Sequence, residues 1–204
     1  MDQAPKNFVL ASGSQIRKDL LKAAGYEFTA VAATLDEEAC IESDPDRRAA
    51  ILARDKALEV ASQFPDALVL GSDQVFAFEG EVRSKPESDE ALRDQLRLIN
   101  GKSHRFHCGL ALVRGRKVVH EEVCHAEVQL YDLSEEELLA YAATREGIGC
   151  AGGYRLEDRG IHILRGIKGS HFTVLGLPMF ELAAALRRLG WDKLFFASSE
   201  RSSL

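Results

Sequence analysis

The chain has 204 residues, of which 46% are hydrophobic, and a formal net charge of -6. This length and composition suffice for a buried core, exclude disorder as a useful description, and fit one domain or two small lobes. Acidic and basic residues are interleaved along the chain. The sequence has no sustained basic stripe, so its charge pattern does not predict a stable nucleic-acid partner. A few cations in one cleft can still bind a phosphorylated small molecule.

The chain shows no targeting or membrane signal. Met1 to Asn7 is polar and leads directly into an apolar strand, unlike a secretory signal. No apolar run approaches the roughly 20 residues of a membrane helix. Four widely spaced cysteines without a C-x-x-C pair argue against a disulfide framework and a zinc knuckle. We therefore expect a cytoplasmic protein with free thiols and no membrane partner.

The first predicted unit is a strand, a turn and a helix. Phe8 to Leu10 forms the strand, small residues form the turn, and the helix begins after Ser14 as N-cap and closes at Gly25. A second helix begins at Asp44-Pro45, because proline suits the first helical turn, and runs towards Pro65.

A short buried strand, Ala67 to Leu70, comes next and is expected to stop at the tight turn Gly71-Ser72-Asp73. Carboxylates at the carboxyl ends of strands are recurrent active-site groups in α/β proteins. Asp73 is therefore the strongest candidate for chemistry on position alone.

The second half of the chain is predicted to contain more β structure. In order, we expect a hairpin of Val75–Phe78 and Glu81-Val82 around Glu79-Gly80, a helix over Asp89–Ile99, β segments over Arg105–Val113 and Lys117–Tyr131, a helix capped by Ser134–Glu137 and running to Ala143, a flexible glycine-rich loop over Gly147–Gly153, a strand over Ile161–Leu164 and a helix from Pro178 to Arg188. This alternation favours an α/β fold with a mixed sheet rather than a purely parallel one.

A candidate anion site lies in the turn Ser12-Gly13-Ser14, which places amide donors at a helix amino terminus ahead of Arg17 and Lys18. The alternative is that Ser14 only caps the helix and the cations face solvent. The turn is not a P-loop, because the chain contains no G-x-x-x-x-G-K-[ST] sequence.

Further candidates are carboxylates and lysines. The acidic triplet Asp36-Glu37-Glu38 and Asp73 could share a divalent cation on phosphate oxygens, or the triplet could be a solvated loop. Lys56 and Lys85 could bind phosphate, or each could be an ordinary surface lysine. Four histidines lie at unlike spacings in the predicted strands and indicate no metal site: His104, His107, His120 and His125.

These signals occur in the order of a known family. The segment from Leu10 to Leu21 resembles L-A-S-x-S-P-x-R-x-x-L-L, the amino-terminal signature of the Maf nucleotide pyrophosphatases, with Gln15 in place of proline. The resemblance continues over almost the whole chain, through Leu35-Asp36-Glu37, Ala53-Arg54-Asp55-Lys56-Ala57, Gly71-Ser72-Asp73-Gln74-Val75, Lys85-Pro86 and Val174-Leu175-Gly176-Leu177-Pro178. It implies a single Maf-like domain over 1–204, with an ITPase-like fold in which a central mixed twisted sheet is flanked by helices and two lobes surround a cleft.

Within that family the chain most resembles the branch acting on 7-methyl-GTP. Gln74 stands where the dTTP and UTP branch has threonine, Glu157 where it has glutamine, and Ile16 where it has an arginine. Glu157 could accept hydrogen bonds from the N–H donors of a guanine edge and favour the cationic methylated base. The 7-methyl-GTP branch usually has an aromatic at the position of Ile16, so this chain lacks that stacking surface. Simpler structural roles stay open for all three: Ile16 could be a core residue, Glu157 a salt-bridge partner and Gln74 a backbone cap.

The resemblance implies hydrolysis between the α and β phosphates of a nucleoside triphosphate. It assigns proton acceptance to Asp73, metal binding to Glu37 and Asp73, and phosphate binding to a set of five residues: Ser12, Ser14, Arg17, Lys56 and Lys85. The implied cofactor is Mg or Mn, and a homodimer is the candidate assembly. The alternatives are a dTTP/UTP pyrophosphatase and a non-enzymatic regulator of septum formation.

Overall fold

A computed structural model describes residues 7–191 and contains one seven-stranded sheet. Its strands are β1 (Phe8–Leu10), β2 (Thr29–Ala30), β3 (Leu68–Phe78), β4 (Glu81–Arg83), β5 (Ser103–Arg114), β6 (Lys117–Leu130) and β7 (Leu164–Gly169). The order across the sheet is β2-β1-β3-β5-β6-β7, and β4 pairs with β3. The strands β2, β1 and β3 are parallel and the other pairings are antiparallel, which confirms the predicted mixed sheet.

Six α-helices flank the sheet within the described range. They are α1 (Gln15–Ala23), α2 (Pro45–Ala61), α3 (Asp89–Ile99), α4 (Glu135–Ala142), α5 (His171–Val174) and α6 (Met179–Arg188). Short 3-10 turns occur at Glu37–Ala39, Ala151–Gly153 and Arg159–His162. None of the helices in residues 7–191 combines the length and the apolar character needed to span a membrane.

Several local predictions are confirmed. Ser134 and Glu137 form a reciprocal capping box at the start of α4. Glu79 and Gly80 turn the β3–β4 hairpin with φ values of 51° and 84°, the left-handed conformation that a two-residue hairpin turn demands. Pro45 is the first residue of α2, behind the capping side chain of Asp44. Each of these signals is local in sequence, and each determines one turn.

The strand containing Asp73 does not end where it was predicted to end. Strand β3 continues from Leu68 to Phe78, and Asp73 lies in its middle, paired opposite Gly109 of β5. Gly71 is required for close packing rather than for a turn, because a Cβ there would lie 2.0 Å from the carbonyl oxygen of Ala53 in α2. Asp73 nevertheless lies just beyond the end of a neighbouring strand. Strand β1 pairs with β3 only as far as Leu10, which lies opposite Leu70.

The strand predicted over Ile161–Leu164 is also wrong in position. Residues 159–162 form a 3-10 turn, and β7 begins only at Leu164 and pairs antiparallel with β6. The turn is closed by a hydrogen bond from the amide of Ile163 to the carbonyl of Gly160. Apolar residues suggested a strand, but Ile161 is 53% exposed, and of this segment Ile163 and Leu164 contribute to the core.

The core has three parts. One part packs α3 and α4 on the far halves of β3, β5 and β6, around Phe76 and Phe106. A second packs α6 beneath Leu10 and Leu70, and a third packs α2 on the opposite face through Ala53 and neighbouring small residues. The cleft described below is lined by Phe106 and Tyr154 of the first part and by Ala11 of the third.

Candidate active site

One cleft of about 400 Å³ collects all ten residues that the sequence assigned to the site. It lies beyond the end of β1, and the turn before α1, helix α2, strand β3 and the loops at 149–157 and 174–176 form its walls. The predicted residues that line it are Ser12, Ser14, Ile16, Arg17, Glu37, Lys56, Asp73, Gln74, Lys85 and Glu157. Their separation along the chain makes this convergence a property of the fold, while their individual roles stay predictions.

Lys56 lies at the centre of the cleft between two carboxylates. Its Nζ is 2.6 Å from Oδ1 of Asp73 and 2.6 Å from Oε1 of Glu37. Lys56 and Asp73 are 8% and 5% exposed, so Lys56 is not the ordinary surface lysine of the alternative interpretation. A buried charge is tolerated when it is paired and hydrogen-bonded, and this arrangement gives Lys56 two partners.

The close approach of α2 to the sheet places Lys56 beside Asp73. Alanines line the sheet-facing side of the helix, and glycines oppose them on β3 and β5. A Cβ at Gly109 would lie 2.1 Å from the carbonyl oxygen of Ala49, so glycine is required there for the helix to lie this near. The lysine side chain therefore reaches Asp73 from a backbone that is held in place on both sides.

Glu37 belongs to the 3-10 turn at 37–39 and is more exposed than its partners. Burial by itself acts to raise the pKa of Glu37, but the hydrogen bond and charge of Lys56, with the charges of Lys85 and Arg17, lower the pKa below its usual value. Lys85 itself is exposed at the rim of the cleft. Glu37 is thus held as a carboxylate among three cations.

Arg17 is fixed at the amino-terminal end of α1. Its Nε donates to the carbonyl oxygen of Gly176 (2.7 Å) and its Nη1 to Oγ of Ser12 (3.2 Å). The amide of Ser14 also donates to Oγ of Ser12 (3.2 Å), and Ser14 makes no side-chain cap of the helix. Ser14 is the N-cap residue of α1, as predicted, but its side chain makes no capping hydrogen bond.

The loop after α5 is an anchor that sequence reasoning missed. The fully buried hydroxyl of Ser72 donates to the carbonyl oxygen of Gly109 (2.9 Å) or of Gly176 (3.1 Å). Gly176 has a φ of 90°, which favours glycine, and its carbonyl also accepts from Arg17. The Val174–Pro178 motif signalled this loop, but only the tertiary fold shows that it holds Arg17 in the cleft.

The three residues predicted to choose the base have different surroundings. Gln74 donates its amide to the carbonyls of Thr173 (2.9 Å) and Val174 (2.8 Å), so its nitrogen caps backbone. Glu157 accepts from Nε of Arg155 (3.1 Å), which is the salt bridge of the alternative interpretation. Ile16 is half-buried, lines the cleft and belongs to none of the described core clusters. Gln74 and Glu157 each line the cleft as well, with a side-chain oxygen outside these contacts.

Two aromatic residues that the sequence did not indicate, Phe106 and Tyr154, also line the cleft and are called the aromatic wall below. His104 packs behind them with its Nε2 2.6 Å from the hydroxyl oxygen of Tyr154. Burial lowers the pKa of His104 to about 4 and raises the pKa of Tyr154 well above its usual value, so both stay neutral near pH 7. No local pattern brings residues 104, 106 and 154 together, because the contacts depend on the 149–157 loop folding over β5.

The donor set of the cleft fits a hard divalent cation. Lys56 engages one oxygen each of Glu37 and Asp73, so each carboxylate retains a second oxygen. Mg²⁺ is commonly bound by one or two carboxylates together with substrate phosphates and water. The two carboxylates that line the cleft match the protein's share of that requirement.

Comparisons with known proteins agree over most of the chain. A family model described as Maf-like protein matches residues 7–189. The chain is 38% identical to a nucleoside triphosphate pyrophosphatase of Rhodopseudomonas palustris (strain HaA2), over 90% of this chain and 94% of that protein. It is 38% identical to a 7-methyl-GTP pyrophosphatase of Rhizobium johnstonii, over 89% and 96%.

Two further similarities bear on specificity and fold. The chain is 34% identical to a dTTP/UTP pyrophosphatase of Bacillus cereus (strain ATCC 10987 / NRS 248), over 92% of each protein. Its fold resembles the solved structure of the Staphylococcus aureus Ham1 protein with a TM-score of 0.50 at 16% identity, over 90% of this chain and all of that one. This likeness concerns the fold alone and agrees with the expected ITPase-like architecture.

Proposed function

The chain belongs to the Maf family, and from this premise we propose that it hydrolyses 7-methyl-GTP and related modified nucleotides between the α and β phosphates. Family membership and similarity to nucleoside triphosphate pyrophosphatases make it an enzyme of that class, a hydrolase of phosphorus-containing anhydrides. The observation that carries the proposal is the cleft in which Lys56 bridges Asp73 and Glu37, facing the α1 amino terminus.

In the proposed reaction, water attacks the α phosphorus, the bond from that phosphorus to the α–β bridging oxygen breaks, and pyrophosphate leaves. Asp73 accepts the proton of the attacking water, while its contact with Lys56 fixes the orientation of the carboxylate. The nucleoside monophosphate gains the water oxygen, pyrophosphate keeps the bridging oxygen, and Asp73 releases the accepted proton to solvent as the products leave.

Phosphate binding is proposed for the cations and amides around that point. Arg17 and Lys56 lie inside the cleft and Lys85 at its rim, and the amides of the turn 12–14 are at the start of a nine-residue helix. Positive charge and oriented amides stabilise the charge that develops as pyrophosphate departs. Ser12 contributes by orienting Arg17 and the Ser14 amide together.

Glu37 and Asp73 are the proposed ligands of a divalent Mg or Mn ion. When bound, such an ion supplies charge neutralisation on the triphosphate oxygens. The protein's own part is to present two carboxylate oxygens beside the phosphate-binding cations, with Lys56 keeping the two carboxylates from repelling one another.

Specificity for a methylated guanine is proposed from Glu157, Gln74 and the aromatic wall. Glu157 would accept hydrogen bonds from the N1–H and N2–H groups and attract the cationic base. Phe106 and Tyr154 line the cleft but are only 1% and 4% exposed, so they shape its wall and do not replace the aromatic that is absent at Ile16. Pyrimidine triphosphates are the second candidate, supported by the similarity to a dTTP/UTP pyrophosphatase.

The test is pyrophosphate release from 7-methyl-GTP, GTP, dTTP and UTP by chelator-treated protein, with and without Mg²⁺ or Mn²⁺, in ¹⁸O-labelled water. We expect 7-methyl-GTP to be preferred, release to require the ion, and the label to appear in the monophosphate. Equal turnover of dTTP and 7-methyl-GTP would refute the specificity, and label in pyrophosphate would refute attack at the α phosphorus.

A further inference from the structure

Three side chains of residue types that commonly bind metals meet outside the cleft, on the face of the sheet covered by α2. They are Asp46 in the first turn of α2, His107 in β5 and His125 in β6. Nδ1 of His107 and Nε2 of His125 each lie 2.6 Å from Oδ1 of Asp46. Within residues 7–191, this is the one group of three His, Cys, Asp or Glu side chains whose candidate ligand atoms all lie within 4.8 Å of one another.

We propose that Asp46, His107 and His125 form a second metal site that binds a transition-metal ion, with Zn²⁺ the best match. Two imidazole nitrogens and one carboxylate oxygen form a ligand set that zinc uses in proteins, with a fourth position open to water. Hard ions such as Mg²⁺ prefer oxygen ligands, so this site differs in chemistry from the carboxylate pair of the cleft.

The distances suit an ion after a small adjustment. In a tetrahedral zinc site with bonds of about 2.1 Å, neighbouring ligand atoms lie roughly 3.4 Å apart. The two contacts of 2.6 Å therefore have to open by somewhat less than about 1 Å. The side chains of Asp46 and His125 are 50% and 45% exposed, so both have room to make this movement, whereas His107 is 9% exposed and fixed.

The backbones that carry the three ligands are already in place. His107 and His125 are direct cross-strand partners, with ring centroids 5.0 Å apart and ring planes nearly perpendicular. Asp46 precedes Ala49 by one helical turn, and Ala49 packs directly on Gly109, two residues after His107. Binding an ion therefore orders little additional chain, which favours affinity.

The local charge is compatible with a cation. Arg105, the next residue of β5 on the same face as His107, has its Nη2 3.8 Å from Oε2 of Glu127. Asp46 contributes one negative charge, and neutral imidazoles are the form that binds metal. A shallow groove lined by Pro45, Arg105 and His107 gives solvent access to one side of the group.

The consequence of binding would be mechanical rather than catalytic. Asp46 and Lys56 are ten residues apart on α2, about 15 Å along the helix axis, so the ion cannot touch the reacting phosphates. It would instead tie the start of α2 to β5 and β6. Since α2 carries Lys56, the ion would stabilise the helix–sheet packing on which the cleft depends.

The test measures Zn²⁺ binding to the whole, chelator-treated protein by competition with a chromogenic chelator, and the melting temperature with and without Zn²⁺. We expect one ion per chain. We also expect Tm to rise by about 5–10 °C at a hundredfold excess over Kd. Co²⁺ at the same site should give the visible absorption of a tetrahedral or five-coordinate ion.

Variants locate the ion. His125→Gln should weaken Zn²⁺ binding at least about tenfold and abolish the Tm increase, and Asp46→Asn should do the same. His162→Gln, at an exposed histidine outside the group, and Glu37→Gln, in the cleft, should leave Zn²⁺ binding unchanged. Absence of stoichiometric binding would overturn the proposal, as would unchanged binding in His125→Gln or binding lost in Glu37→Gln.

Discussion

Lys56 and Asp73 join helix α2 to strand β3 through a contact of 2.6 Å between Nζ and Oδ1, with both side chains at most one tenth exposed. The same ammonium contacts Glu37, so one lysine sets the distance between the two carboxylates of the cleft. The proposed proton acceptor, metal ligands and phosphate-binding cation are therefore coupled through one atom.

Removing the ammonium group of Lys56 should lower both the stability of the fold and the activity. Lys56→Met leaves the buried Asp73 without its partner, and breaking such a pair costs about 3 kcal/mol or more of unfolding free energy. The double variant with Asp73→Asn should recover part of that loss in chemical denaturation while remaining inactive. Lys117→Gln, at a surface lysine of β6, is the control and should change neither quantity. Wild-type stability in Lys56→Met would contradict the coupling.

Glu157→Gln tests base choice. Losing a hydrogen bond to a charged group costs about 1.5 kcal/mol, so kcat/KM for 7-methyl-GTP should fall about tenfold while that for dTTP changes little. Asp158→Asn is the matched control, because Asp158 also pairs with Arg155 but does not line the cleft. An equal decrease for both nucleotides in Glu157→Gln would mean that Glu157 only positions Arg155.

His104 should make stability depend on pH. Burial lowers its pKa from 6.5 to about 4, so the unfolded chain binds a proton more readily than the folded one. Stability is therefore fully present above pH 6.5 and is lost as the pH falls towards 4, by about 2 kcal/mol between pH 8 and pH 5. Denaturation of His104→Gln across that range should lack this component. A variant with the wild-type pH profile would show that His104 does not cause it.

Gly109→Ala tests how closely α2 must approach the sheet. A Cβ at this position would lie 2.1 Å from the carbonyl oxygen of Ala49, so the helix must shift, at a cost of about 1–3 kcal/mol. The shift should also lower activity, since α2 carries Lys56. Gly166→Ala in β7 meets no atom within 4 Å and should be near neutral. Equal stability of the two variants would refute the close packing of α2 on β5.

The sequence predicted the residues of the cleft better than the backbone that carries them. Local signals such as the Ser134–Glu137 capping box and the Glu79-Gly80 turn determine their own structure, and they were confirmed. Gly71 suggested a turn, but a glycine in a sequence can have two roles. It can allow an unusual backbone conformation, or it can leave room for a neighbouring helix. Only the packing of Ala53 against Gly71 distinguishes the two.

Contacts that depend on strand register were not predictable in the same way. His107 and His125 are eighteen positions apart, and nothing in their spacing shows that β5 and β6 pair them directly or that Asp46 lies above both. The aromatic wall of Phe106 and Tyr154 likewise depends on contacts between distant parts of the chain that no local pattern predicts. Family resemblance indicated the residues that line the cleft, while side chains outside the family motifs became visible only in the fold.

The role of Asp73 is tested most directly by the single-turnover rate of pyrophosphate release from 7-methyl-GTP by wild-type protein and by Asp73→Asn, with Asp66→Asn as an exposed control. A positioned general base contributes about 10²–10⁴-fold, so Asp73→Asn should be slower by at least about a hundredfold, with its fold retained. Asp66→Asn should match the wild type. A rate in Asp73→Asn equal to that of the wild type would contradict the proposed mechanism.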